Sequence, residues 1–136
     1  MGRILAIDYG RKRVGLAVTD PLQIIASPLD TIHSKDVIQY LKDYDKAENI
    51  EAFVLGMPMN LNNQPTDATL GAQQFENLLK KQFPEKPVYL QDERFTSKMA
   101  MDAMIAGGMK KKDRREKGNI DKISATIILQ SFLESK

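Results

Sequence analysis

The order of the short apolar runs limits the possible folds most tightly. Ile4-Leu5-Ala6-Ile7 stops at Asp8, and Val14 to Val18 (VGLAV) follows after a basic turn, Tyr9 to Arg13. Runs of four or five apolar residues bounded by turn residues have the length of buried strands. Two of them so close in sequence predict an antiparallel hairpin. Ile24 to Ser27, set off by Pro21 and Pro28, reads as a third strand. The pattern then changes. Lys35 to Ala47 repeats Val37, Ile38, Leu41 and Tyr44 at helical spacing. Ala52 to Leu55 is another strand-length run, closed by Gly56 and Pro58, and a polar loop follows from Asn60 to Thr66. Asp67 to Phe83 carries Ala68, Ala72, Phe75, Leu79 and Phe83 on one helical side. Val88-Tyr89-Leu90 is the last strand. Thr96 or Ser97 caps a helix through Ala106, which Gly107-Gly108 stops. Met109 to Gly118 is expected to be a mobile charged loop, and Ile120 to Leu133 a final helix. Three strands followed by alternating helices and strands predict an α/β fold with a mixed five-stranded sheet, antiparallel at first and parallel later. With 136 residues and no repeat or composition break, residues 1–136 are expected to be a single domain.

Composition removes several classes of chemistry. There is no cysteine, hence no disulfide, thiol nucleophile or Cys-ligated zinc. The one histidine, His33, excludes a His-rich metal site and is expected to be a surface loop residue. The seven methionines are expected to fill the core. No stretch approaches the roughly 18 apolar residues of a membrane span, and the N-terminal apolar run is too short for a signal peptide. The expectation is a soluble, intracellular chain without a membrane partner. The net charge of +2 is too mild to decide the partner.

Carboxylates stand where a fold would not ordinarily want them. Asp8 closes an apolar strand, at the end where open α/β sheets bind ligands. The plainer alternative is an aspartate that begins a turn. Asp92 and Glu93 close the last strand; because strand residues alternate between faces, only one of them is expected to face a site there. Pairing with Arg94 is the plainer alternative. Asp121 lies near the start of the last helix, with Asn119 as a candidate N-cap. It also shares one stripe with Ala125, Ile128 and Phe132, at i, i+4, i+7 and i+11. A helix so apolar must pack on the sheet, which aims Asp121 at the sheet's end. Three acids converging there would repel one another unless cations intervene. Oxygen-only ligands suit Mg²⁺ or Mn²⁺, and one or two such ions can activate a water and stabilise the leaving oxygen of a phosphodiester.

Basic residues flank these acids. Arg11, Lys12 and Arg13 follow Asp8, and Lys110, Lys111, Lys112, Arg114, Arg115 and Lys117 precede Asp121. A solvated charge run is the ordinary fate of such segments. Their adjacency to acids favours contact with a phosphate backbone. Asn60, in the amide-rich loop Gly56 to Gln64, is a further candidate for substrate binding, with an ordinary turn as the equal alternative.

The run Ile4-Leu5-Ala6-Ile7-Asp8-Tyr9-Gly10-Arg11-Lys12-Arg13-Val14-Gly15-Leu16-Ala17-Val18 resembles the opening motif of the YqgF family, RuvC-like pre-16S rRNA nucleases also described as Holliday junction resolvases. Val54 to Asn60, Asp92 to Ser97 and Asp121 to Ala125 resemble its second, third and fourth motifs, in order and at compatible spacing. The resemblance implies an RNase H-like fold of the RuvC-like branch and a cytoplasmic role in maturing the 5′ end of 16S rRNA. It implies that Asp8, Glu93 and Asp121 bind metal and are catalytic together with Asp92. It also implies contacts to nucleic acid from Arg94 and the basic clusters, and an association with ribosomal particles. A monomer or weak homodimer is expected. In true RuvC-like resolvases an acid is expected at the end of the fourth strand, where this chain has Gly56-Met57-Pro58. Three alternatives remain at this point: a DNA nuclease acting on Holliday junctions, a non-catalytic RNA-binding assembly factor, and a nucleotide-binding module. The last follows from the likeness of Asp8-x-Gly10 with Gly15 to an ATPase phosphate loop.

Overall fold

The computed structural model describes residues 2–10, 12–57, 67–92 and 117–134. Five strands and three helices occur among them: β1 (Arg3–Asp8), β2 (Arg13–Thr19), β3 (Ala26–His33), α1 (Val37–Glu48), β4 (Ile50–Met57), α2 (Asp67–Gln82), β5 (Val88–Asp92) and α3 (Lys117–Glu134). They form one sheet in the order β3-β2-β1-β4-β5. β1 pairs antiparallel with β2 and β2 with β3, while β4 runs parallel to β1 and β5 parallel to β4. This is the mixed sheet expected from the sequence.

Alternation along the strands divides the core in two. On one face Leu5, Ile7, Leu16, Phe53 and Leu55 meet Val37 and Leu41 of α1 and Phe75 and Leu79 of α2. On the other, Ile4, Ala6, Ala17 and Val54 meet Ala125, Ile128 and Leu129 of α3. The small residues Ala6, Ala17 and Ala125 are all fully buried, which lets α3 come close to the sheet. α3 touches all five strands.

The third strand differs from expectation. It runs from Ala26 to His33, not from Ile24 to Ser27. Pro28 lies inside it, where proline is tolerated because β3 is an edge strand with one side unpaired, and the register slips at Leu16/Ala17 beside it. Ile24 and Ile25 instead belong to an exposed loop. The Asp20 carboxylate shapes that loop by accepting backbone N–H bonds from Leu22 (3.3 Å), Ile24 (2.9 Å) and Ile25 (2.8 Å). These bonds, the one from Ile25 foremost, favour the ionised carboxylate and hold its pKa below the usual carboxylate value. Two further boundaries move. β4 continues through Gly56 to Met57. α3 begins at Lys117, so Gly118 is helical rather than part of a loop, and Asn119 lies inside the helix instead of capping it. Glycine and asparagine are weak helix formers, and packing of α3 on the sheet outweighs that preference. His33 is exposed but ends β3 rather than lying in a loop. The expected loop Asn60 to Thr66, the helix ending at Ala106, the charged residues 109–116 and all seven methionine side chains lie outside what is described.

Candidate active site

Asp8 is the last residue of β1 and only partly buried. Ile7 belongs to the core under α1 and α2, and Ala6 to the core under α3. The next step of the alternation therefore puts Asp8 on the α3 face. Its register partner on β2 is Gly15. Directly after it the chain turns: Tyr9 stacks on Phe75 of α2 with ring centroids 4.7 Å apart. At Gly10 a Cβ would come within 2.5 Å of the Arg13 carbonyl oxygen. That close approach requires glycine, and it fixes the angle at which the chain leaves Asp8.

The direction of α3 follows from its far end. Gln130, Leu133 and Glu134 line a shallow cavity with Ile24, Ile25 and Ala26. Phe132 lies 5.1 Å from Tyr89 near the start of β5. Ala26 pairs with Thr19, whose hydroxyl accepts the Ile4 N–H at 2.9 Å. The C-terminal end of α3 therefore sits at the start of β1, and the helix runs antiparallel to that strand. From Leu133 to Asp121 the helix rises about 18 Å, close to the roughly 17 Å length of a five-step strand. The backbone of Asp121 thus lies at the same end of the sheet as Asp8. With α3 starting at Lys117, Asp121 is in its second turn.

The third acidic position is at the same end. β5 extends to Asp92, which pairs with Met57, as Gln91 does with Gly56. β4 ends without a carboxylate at Gly56-Met57, as its sequence predicts. The Asp92 and Asp121 side chains, and Glu93, Arg94, Arg11, Asn60, Lys110, Lys111, Lys112, Arg114 and Arg115 altogether, lie outside what is described. Lys12 is described, and exposed, in the loop between β1 and β2. Among the described residues no three acidic or histidine side chains gather closely enough to hold a metal ion.

The profile of the RuvX family, described as a Holliday junction resolvase, matches residues 2–135. The chain belongs to the RuvX family. This is the YqgF family that its motifs resemble. Among its relatives, a protein of Amoebophilus asiaticus named "Putative pre-16S rRNA nuclease" is 56% identical over 135 residues, covering 99% of this chain and 96% of that one. One of the same name from Parabacteroides distasonis is 51% identical over 136 residues, covering 100% and 97%. Thermus thermophilus RuvC, solved with a Holliday junction substrate, superposes with a TM-score of 0.54 at 17% identity, covering 99% of this chain and 95% of that one. That likeness carries the fold: this RuvX chain is RNase H-like, in the RuvC-like manner.

Proposed function

We propose that this RuvX chain is a divalent-metal-dependent endonuclease that hydrolyses phosphodiester bonds, acting in the cytoplasm to mature the 5′ end of the 16S rRNA precursor. Relatives of about 50% identity over the whole chain carry that name. The structural observation behind the reading is that Asp8 ends β1 on the face and at the sheet end to which α3 brings Asp121.

The proposed metal set is Asp8, Glu93 and Asp121. Tyr89, whose ring meets Phe132 of α3, has the same sequence parity as Gln91 and Glu93. Asp92 has the parity of Val88 and Leu90, and Val88 packs under α1 and α2. Sequence parity therefore favours Glu93 over Asp92 as the acid of this set. The donors are all carboxylate oxygens, a set that fits Mg²⁺ or Mn²⁺ and not zinc. The chemistry a divalent ion supplies there is acidification of the attacking water and neutralisation of charge on the phosphate. The turn at Tyr9 and Gly10 anchors the backbone directly after Asp8. Asp121 is carried on a helix that touches every strand. Arg11, Lys12, Arg94, Asn60, Lys110, Lys111, Lys112, Arg114 and Arg115 are the proposed contacts to the nucleic acid.

The deciding experiment is cleavage of a precursor 16S rRNA fragment with Mg²⁺ or Mn²⁺, with a four-way DNA junction as the competing substrate. Asp8→Asn is expected to lower cleavage by about 100-fold or more while leaving the melting temperature in EDTA intact. Unchanged cleavage in that variant overturns the reading.

A further inference from the structure

The site lies beside a patch of positive charge whose members come from the start of β2 with the loop before it and the end of β3 with the loop after it. Register brings Arg13 of β2 opposite His33 of β3, one alternation (two residues) beyond the level at which Asp8, Gly15 and Thr31 stand side by side. Val14 and Ile32, between them, face the core under α1 and α2. Arg13 and His33 therefore fall on the face of Asp8. The loops are tied together: the Ser34 N–H donates to the Lys12 carbonyl at 3.1 Å, and the Asp36 N–H to the His33 carbonyl at 2.9 Å. His33 is itself oriented, because its Nδ1 accepts the Lys35 backbone N–H at 3.1 Å. Nδ1 being the acceptor, Nε2 carries the proton and is a donor. Lys12, Arg13, His33 and Lys35 are all exposed. Asp36 is the acid in the same turn. Asp30 pairs with Leu16, which faces the opposite core, and so belongs to the other face. Among the described residues of these two segments, Lys12, Arg13 and Lys35 are the permanent cations and Asp36 the acid on this side.

Resting on the nuclease reading above, we propose that His33 and Lys35, with Lys12 and Arg13, bind the phosphates of the RNA strand next to the cleaved bond. From Asp8 to His33 is two strands across and about two residues along, or roughly 12 Å. That places the rim within a few nucleotides of the reacting phosphate. The spacing leaves the metal acids free to act on one phosphate while the rim holds its neighbours. The imidazole Nε2–H and the Lys35 ammonium are donors suited to phosphate oxygens, and neither reads a base.

Binding is measured without cleavage, in EDTA, by the fluorescence anisotropy of a short labelled single-stranded RNA added to the full chain. The double variant His33→Ala/Lys35→Ala is expected to raise Kd about five- to tenfold. It should also flatten the dependence of log Kd on log salt by about 0.7 for each phosphate no longer neutralised, between 50 and 200 mM salt. Lys46→Ala removes the same charge from the last turn of α1, at the other end of the sheet, and is expected to leave Kd unchanged. The single imidazole resonance of the wild type is expected to move when RNA is added. Equal Kd and slope in wild type and double variant, an equal loss in Lys46→Ala, or no RNA binding by the wild type each overturn the proposal. Cleavage surviving in Asp8→Asn while the rim variants still weaken binding would remove the metal site proposed at Asp8 and leave the rim standing. Loss of cleavage in Asp8→Asn with no effect of the rim variants would do the reverse.

Discussion

At the scale of single residues, two carboxylates show how one side chain type serves opposite ends of the sheet. Asp8 is a proposed metal ligand at one end. Asp20 commits its oxygens to three backbone N–H groups. Those bonds lower its folded-state pKa below 3.8, its ordinary value. Its contribution is therefore complete above the unfolded value and disappears as pH falls through the lower folded one. Denaturant titrations are expected to show stability falling below about pH 3.8, and Asp20→Asn to flatten that part of the profile. The parity argument makes a second prediction in cleavage assays: Glu93→Gln loses about 100-fold, and Asp92→Asn no more than about tenfold. Asp8 was legible in the sequence because an apolar run stops on it. The face it occupies was not, since that needs the register with β2 and β4. The place of His33 was hidden for a related reason. A lone histidine beside a lysine carries no pattern, and only cross-strand pairing sets it opposite Arg13.

Among the elements, α1, α2 and the two strands of the hairpin were legible because their apolar spacing is decided locally. β3 was not. Its outer side is unpaired, so it carries no continuous apolar run, and Pro28 imitates a strand end. The apolar pair Ile24-Ile25 imitates a strand interior, although both side chains are more than 60% exposed. α3 was legible as a helix and, from its stripe, as a helix on the sheet; its direction came only from Phe132 and Leu133 meeting Tyr89 and Ile25. Its close seat on Ala6 and Ala17 yields the third prediction. Ala125→Leu overfills that contact and is expected to cost about 1–3 kcal/mol in urea unfolding. Cleavage should fall further than the unfolded fraction explains, since the displaced helix carries Asp121.

For the whole molecule, the proposed acids make folding and metal binding one linked equilibrium. Mg²⁺ at about 100 times its Kd is expected to stabilise the wild type by about 2.7 kcal/mol. Thermal melts in Mg²⁺ and in EDTA measure this, and the difference should vanish in Asp8→Asn. EDTA should likewise abolish cleavage and added Mg²⁺ or Mn²⁺ restore it. The path of the chain has a consequence in time. β1 is made early and α3 late, and the helix must lie back along the strand before Asp8 and Asp121 share one end of the sheet. At about 5–20 residues per second, synthesis separates the two by roughly 5–20 s. Throughout that interval a growing chain next to ribosomal RNA carries half a pair of blades. The proposed site is therefore incomplete until α3 has left the ribosome and docked.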